Sequence, residues 1–155
     1  MIFFTAHHFL TSFPVNWTGR IAIQKVIFMS AEKNLLGEPL EECCGNPITG
    51  FFRDGFCRSS EYDAGSHTVC ALMSNEFLLF SKGRGNDLST PRPEYKFPGL
   101  GAGDSWCLCA SRWLEAFEAD CAPRIFFRKT NCKALDLVPL HALRKYAIDL
   151  SWLCG

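Results

Sequence analysis

The sequence predicts a single α+β domain in which helices pack on a small mixed β-sheet. Three observations support this class. Apolar runs of strand length are followed directly by a polar capping residue and an amphipathic segment. Long irregular stretches rich in glycine and proline separate these units. The two clearest units also echo each other at an offset of 37 residues, where three identities recur: Cys70 with Cys107, Ser74 with Ser111, and Phe80 with Phe117.

The first unit follows an irregular region. Residues 34–50 are rich in glycine, proline and asparagine, and an Asp-Gly pair between aromatic residues predicts a hairpin turn over residues 51–57. The apolar run from His67 to Met73 predicts a strand. Ser74 then offers an N-cap oxygen, so we expect a helix to begin there.

The second unit repeats this order. Residues 105–110 predict a strand, and Ser111 can cap the helix that follows. Trp113, Ala116 and Phe117 lie three and four residues apart, which gives this helix a buried stripe.

The last part of the chain predicts three short elements. Residues 125–127 form an apolar run typical of a third strand. Asn131 can cap a short helix, and Pro139 suits the first position of a final one.

The connection over residues 83–103 is unusually long and holds five glycines and three prolines. Loops of this length are usually functional or packed by their own side chains. Four apolar residues could provide that packing: Leu88, Tyr95, Phe97 and Leu100.

Composition restricts the function classes. Hydrophobic residues make up 48% of the chain and charged residues 21%, with 16 acidic against 16 basic. These proportions are globular and exclude a wholly disordered chain. The zero formal net charge argues against a protein that binds nucleic acid mainly through phosphates. No stretch approaches the roughly 20 consecutive apolar residues of a membrane span, so we expect no membrane partner.

Residues 1–28 differ from the rest of the chain. They contain five of the 14 phenylalanines, two basic residues and no acidic residue. No basic residue precedes the first apolar run, which argues against a secretory signal. The segment that begins at Met29 reads like a fresh N-terminus. We expect residues 1–28 to be a non-native or disordered extension and residues 29–155 to form the globular domain.

Nine cysteines are the compositional anomaly, and an odd number excludes complete pairing. The chain has enough aromatic and aliphatic residues to bury a core without disulfides. Buried free cysteine behaves as a small hydrophobe. We therefore expect mostly reduced thiols in a cytoplasmic protein.

The cysteines also suggest two kinds of chemistry. Zinc prefers four sulfur or nitrogen ligands, and the candidate ligands are Cys57, His67, Cys70, Cys107 and Cys109, with Cys43 and Cys44 in addition. The chain has no Cys-x-x-Cys pair, so core thiols are the competing interpretation. A reactive thiol is the second possibility, because Cys109 directly precedes a predicted helix and its Arg112. His67 could act as a base near Cys70.

A third candidate is a cleft for a small polar or anionic ligand. Arginines and backbone amides at helix N-termini bind anions. The candidate residues are Arg53, Asp54, Asn86, Asp87, Ser89, Thr90 and Arg112. The competing interpretation is that these residues make ordinary turn and cap hydrogen bonds.

Several separate motifs appear in order along residues 34–147. They are Leu36-Gly37-Glu38-Pro39-Leu40, Thr49 to Gly55, Gly65 to Cys70, Gly85 to Pro91, and Trp106 to Ala110. In these motifs the chain resembles the bacterial domain of unknown function 2237 family. The resemblance implies a small cytoplasmic single-domain protein that starts at Met29, and it implies no activity.

The function that we favour at this point is binding of a small polar or anionic ligand at the 83–104 loop. The first alternative is a zinc- or thiol-dependent enzyme that uses the cysteines and His67. A protein-interaction module is the third. Zinc is the one cofactor that the sequence suggests.

Overall fold

A three-stranded antiparallel sheet organises the part of the chain that the computed structural model describes, residues 32–150. The order of the strands is β2-β1-β3, so the first strand is central. The strands are β1 (Val69–Leu72), β2 (Ser105–Leu108) and β3 (Arg124–Ile125). The helices are α1 (Asn75–Gly83), α2 (Ala110–Glu118) and α3 (Leu140–Lys145), with 3-10 turns at Pro93–Tyr95 and Cys132–Asp136. The α+β class is confirmed. The predicted extension over residues 1–28 lies outside the described residues.

The register of the sheet pairs the strands of the two repeated units with each other. In the β1–β2 ladder Val69 pairs with Leu108 and Cys70 pairs with Cys107. The two cysteines of the internal repeat are therefore directly opposite each other. The sheet is antiparallel and not mixed as predicted, because both strand pairs are antiparallel. Among residues 32–150 the one parallel pairing is an isolated bridge between Ile125 and Ala147.

Side chains alternate between the two faces of the sheet, as period-two geometry requires. One face packs into the main hydrophobic core, where Phe77, Trp113 and Leu143 are fully buried. The strand residues on that face are Val69, Ala71, Trp106, Leu108 and Ile125. Cys70 and Cys107 belong to a separate buried cluster with Phe126 packed against it. The sheet thus separates an apolar core from a cysteine-lined face.

The serine caps of the two repeated units differ. Ser74 Oγ accepts a hydrogen bond from the Phe77 N–H at 3.2 Å, so the predicted cap of α1 is confirmed. The prediction for Ser111 is wrong, because α2 begins at Ala110 and its N-cap is Cys109. The Ala110 N–H donates to Ser66 O at 2.9 Å, which carries the chain directly from strand into helix. Ser111 therefore lies inside the first turn.

The hairpin predicted over residues 51–57 is also wrong. This segment contains turns and bends without strands. The Arg53 N–H donates to Gly50 O and the Gly55 N–H donates to Thr49 O, so the loop closes on itself. Gly50 has φ +90°, and a Cβ there would lie too close to Phe56 O. These contacts form a compact loop instead of two paired strands.

Three of the four apolar side chains proposed to pack the long connection are in contact with the main core. Leu100 is buried, and Leu88 and Phe97 pack against the main core. Tyr95 is the exception, since it is 72% exposed.

Shorter elements follow β3. The third strand ends at Ile125, earlier than predicted, because the Phe127 N–H donates to the Asp149 carboxylate and leaves the ladder. Asn131 caps the second 3-10 turn, as predicted. Pro139 is the N-cap of α3, one position before its expected place. Among the described residues, no helix has the length and apolar character needed to cross a membrane.

Candidate functional site

Asp63, His67 and Cys109 form a continuous chain of polar contacts. His67 Nε2 lies 3.1 Å from Cys109 Sγ, and His67 Nδ1 lies 2.7 Å from Asp63 Oδ1. The other carboxylate oxygen of Asp63 accepts the His67 backbone N–H at 2.7 Å. Asp63 is only 8% exposed, whereas Cys109 is half-buried. The carboxylate therefore fixes the ring and directs one imidazole nitrogen towards the thiol.

The end of the β1–β2 ladder brings these residues together. His67 lies just before β1, and Cys109 lies just after β2. Gly65 leaves room for this contact, because an added Cβ would lie 2.9 Å from Cys109 Sγ and 3.0 Å from His67 Cε1 and would push these side chains aside. Its neighbour Ser66 adopts a left-handed φ of 50°, which returns the chain into the strand.

The surroundings of His67 favour its protonated form. The pKa of His67 is raised to about 9, and the hydrogen bond with Cys109 is the largest cause. The Asp63 carboxylate acts in the same direction, while burial of the ring opposes both. A cationic ring between a thiol sulfur and a carboxylate is the arrangement used to activate a nucleophile and to transfer its proton.

Cys109 is the N-cap residue of α2, and its sulfur makes no capping hydrogen bond. The first N–H groups of a helix have no carbonyl partner within it. The Ala110 N–H donates to Ser66 O. The N–H groups of Ser111 and Arg112, also in the first turn, remain available to a negatively charged group. These groups and the helix dipole favour negative charge at this position.

A cleft of about 340 Å³ adjoins this chain of contacts, and His67 forms part of its wall. The Phe51 ring stacks near the His67 ring, with centroids 6.5 Å apart. The Arg53 guanidinium lies 5.3 Å from the centre of the Trp106 ring. The remaining lining comes mainly from the long connection and includes Asp87, Leu88, Arg92, Tyr95 and Phe97.

The residues proposed for ligand binding do not all lie at the cleft. Arg53 and Asp87 line the cleft. Asp87 accepts hydrogen bonds from the backbone N–H groups of Ser89 and Thr90 and from the Thr90 hydroxyl. The Thr90 hydroxyl is the main reason why the pKa of Asp87 lies well below its ordinary value.

The other three proposed ligand-binding residues make local contacts. Asp54 pairs with Arg58 at 2.6 Å, and the Asn86 carbonyl accepts the Ser81 hydroxyl at 2.7 Å. Arg112 pairs with Glu115 on the surface of α2 at 3.0 Å.

Four buried cysteines form a separate group, which we call the cysteine cluster. It consists of two disulfides, Cys43–Cys70 and Cys57–Cys107. The expectation of mostly reduced thiols is wrong for these four, because the fold holds each pair of Cα atoms within disulfide distance, at 5.7 and 5.2 Å. Cys44, Cys109, Cys121 and Cys132 are free, and Cys154 lies outside the described residues.

The structure divides the five proposed metal ligands between two places. Cys57, Cys70 and Cys107 belong to the cysteine cluster, and His67 and Cys109 belong to the contact chain with Asp63. His67 is therefore the partner of Cys109, whereas Cys70 is bonded to Cys43. The sulfur atoms of Cys43, Cys57 and Cys70 all lie within 4.8 Å of one another, so the cluster could hold a metal ion if the disulfides were open.

Sequence reasoning missed Asp63, which completes the contact chain. The available signal was its spacing, four residues before His67 across a glycine-containing turn. Aspartate in a polar loop is common, so this spacing gains meaning only when the turn folds the two side chains together.

Comparison with known proteins gives a family and no activity. No curated protein matches the chain. Residues 33–147 match the family described as "Uncharacterized protein conserved in bacteria (DUF2237)". The matched segment includes Asp63, His67, Cys109 and the whole cysteine cluster. Because the match covers well over half of the sequence, the chain belongs to the DUF2237 family.

Proposed function

We propose that the protein is a thiol-dependent enzyme that acts on a small electrophilic substrate. Cys109 is the nucleophile, His67 is the acid–base group, and Asp63 orients His67. The observation that supports this most strongly is the chain of contacts at 2.7 and 3.1 Å beside a cleft. A thiol, an imidazole and an orienting carboxylate form the activated-nucleophile arrangement found on unrelated folds.

Acyl transfer is the reaction class that fits these groups. The Cys109 thiolate attacks the carbonyl carbon of a small ester or thioester, and a carbon–sulfur bond forms. As the bond to the leaving group breaks, the His67 imidazolium gives its proton to the departing oxygen or sulfur. The neutral ring then takes a proton from water, whose oxygen attacks the thioester. The acid is released, and the thiolate is restored beside the imidazolium.

The start of α2 supports the same chemistry. Negative charge develops on the carbonyl oxygen when the sulfur attacks. The Ser111 and Arg112 N–H groups would stabilise that charge, because they lie in the first turn directly after the nucleophile. The cleft, with His67 in its wall, would hold the rest of the substrate.

The test is hydrolysis of 4-nitrophenyl acetate by the full chain. We expect Cys109→Ser to lower the rate at least about 100-fold and His67→Asn by a comparable factor. Proteolysis and mass spectrometry of the quenched wild-type reaction should find the acetyl group on Cys109.

Cys121→Ser is the matched control, because Cys121 is also a half-buried free thiol but has no histidine partner among the described residues. We expect this variant to retain the wild-type rate. Equal rates for wild type and Cys109→Ser, or acetylation of Cys121 instead, would disprove the proposal.

Ligand binding without chemistry is the second candidate, and the charge of the cleft favours it. Arg53 and Arg92 both line the cleft, and Arg92 forms a long ion pair of 3.9 Å with Glu94. Asp87, the carboxylate in the lining, is already paired with Lys82 at 3.2 Å. Arginines beside aromatic rings suit a small planar anion.

Benzoate is a suitable probe, with binding measured by titration calorimetry. We expect Arg53→Ala to weaken benzoate binding at least about tenfold, because the guanidinium supplies a charge-assisted hydrogen bond. Arg144→Ala, at an exposed position on α3, should leave it unchanged. If both variants bind benzoate like the wild type, the cleft is not an anion site.

A further inference from the structure

The cysteine cluster has a reduced state besides the disulfide-bonded one, and the reaction proposed at Cys109 involves neither. We propose that Cys43, Cys57, Cys70 and Cys107 bind one zinc ion when they are reduced, and that the two disulfides are the oxidised, metal-free form of the same site. The thiol-enzyme proposal concerns different residues, so either proposal can fail alone.

The sheet fixes two of the four ligands. Cys70 and Cys107 are directly opposite each other in the β1–β2 ladder. Their backbone N–H groups bond to side-chain oxygens instead of the facing strand, at 3.1 Å to Thr130 and 2.8 Å to Thr49. Opposite residues that exchange no backbone hydrogen bonds have their side chains closest together. Both sulfurs therefore start from neighbouring points on one face.

The irregular loop before β1 supplies the other two ligands. The Cys43 N–H donates to Gly55 O at 2.8 Å, which holds the Cys43 segment against the segment that leads into Cys57. Each loop cysteine reaches one strand cysteine, Cys43 to Cys70 and Cys57 to Cys107. Each strand cysteine therefore has one loop cysteine beside it.

The distances suit zinc. Tetrahedral zinc with bonds of about 2.3 Å to sulfur places its four sulfurs about 3.8 Å apart. The sulfurs of Cys43, Cys57 and Cys70 already lie within 4.8 Å of one another, and Cys107 is bonded to Cys57. Cys107 lies outside this group of three, so its side chain has to rotate away from Cys57 once the disulfides open, and its sulfur then completes the set of four.

The environment suits a closed structural site. Cys57 and Cys70 are fully buried, and Cys43 and Cys107 are exposed by 4% and 1%. Four sulfur ligands with no open position are typical of structural zinc, whereas catalytic zinc keeps a position for water. His67 is engaged by Asp63 and Cys109, so it is not needed as a ligand.

Hydrogen peroxide is the simplest oxidant that connects the two states. Four thiolates give up four electrons and form two disulfides, and the zinc ion is released. Two peroxide molecules take up these four electrons with four protons and become four water molecules. Reduction by a dithiol reverses the change, because it returns the electrons and allows zinc to bind again.

The experiment is cobalt and zinc titration of the full chain after reduction and removal of the reductant. We expect one Co²⁺ per chain, with the thiolate-to-cobalt charge-transfer absorption and strong visible bands of a tetrahedral sulfur site. Cys57→Ser and Cys70→Ser should weaken binding at least about tenfold, since each removes one ligand. Peroxide should release bound zinc to a colorimetric chelator while free thiols fall by at least four per site.

Cys109→Ser is the matched control, and we expect it to bind cobalt like the wild type. Circular dichroism of each oxidised variant checks that the fold is retained. If a cluster variant does not fold, the proposal is tested by comparing the reduced wild type with the oxidised wild type. The reduced protein should bind cobalt, and the oxidised protein, with its disulfides intact, should not. Absence of the tetrahedral spectrum in the reduced wild type, or its loss in Cys109→Ser, would overturn the proposal.

Discussion

At the scale of single residues, the arrangement around His67 is the most specific chemical feature. Histidine before a strand is usually a structural residue, but here both ring nitrogens have polar partners. One partner is a carboxylate that is 8% exposed, and the other is a half-buried free thiol. The same contacts that would activate Cys109 also make the charge of His67 depend on folding.

This dependence predicts a change in stability with pH. The pKa of His67 is raised from its ordinary 6.5 to about 9 in the folded chain, so the folded state holds the proton more tightly. The resulting stabilisation is fully present below pH 6.5 and is lost as the pH rises through 9. We expect the difference in Tm between the wild type and His67→Asn to be largest below pH 6.5 and to shrink above pH 9, as measured by thermal melts.

His141→Asn is a suitable control, because His141 is exposed on α3. This variant shows what the loss of an exposed imidazole does to the Tm at each pH. A pH-independent difference for His67→Asn would show that the ring is not held in its charged form.

At the scale of elements, the two β–α units have the same order of elements but different connections between strand and helix. In the first unit, Met73 and Ser74 separate strand from helix, and the serine hydroxyl caps α1. In the second, Cys109 alone connects β2 to α2 and occupies the N-cap position. The shorter connection places a thiol where the first unit has a structural hydroxyl.

This difference predicts unequal effects for two similar substitutions. Ser74→Ala removes a cap, so we expect the free energy of unfolding to fall by about 1 kcal/mol. Ser111→Ala removes an exposed hydroxyl inside the first turn and should change it by less than about 0.5 kcal/mol. Urea denaturation measures both, and equal losses would contradict the assignment of the caps.

At the scale of the whole molecule, the two faces of the sheet lie in different surroundings. One face contributes to the apolar core, and the cysteine cluster lies apart from that core. The contact chain of Asp63, His67 and Cys109 lies at the end of the same ladder. A role as a protein-interaction module and the cytoplasmic location both stay predictions.

The boundary of the domain gives a prediction at this scale. The family match begins at residue 33. We expect deletion of residues 1–28 to leave the Tm and the reactivity of Cys109 unchanged, measured by thermal melts and alkylation with iodoacetamide. A large fall in Tm would show that the leading segment belongs to the fold.

Local patterns predicted much of the fold. The apolar runs indicated β1 and β2, the Ser74 cap and the Trp113 stripe indicated helices, and the motifs indicated the family. The hairpin failed because an Asp-Gly pair fits several kinds of turn, and contacts around Gly50 and Gly55 selected a closed loop.

The sequence by itself determined the α+β class, the two repeated units, the family and the identity of the reactive residue types. Only the tertiary structure decided which of them meet. Cys70 and Cys107 are 37 residues apart and become opposite through antiparallel pairing. His67 and Cys109 are 42 residues apart and meet at 3.1 Å because both lie at the same end of that ladder. Strand register depends on the packing of both faces of the sheet, and no local pattern in one strand records its partner.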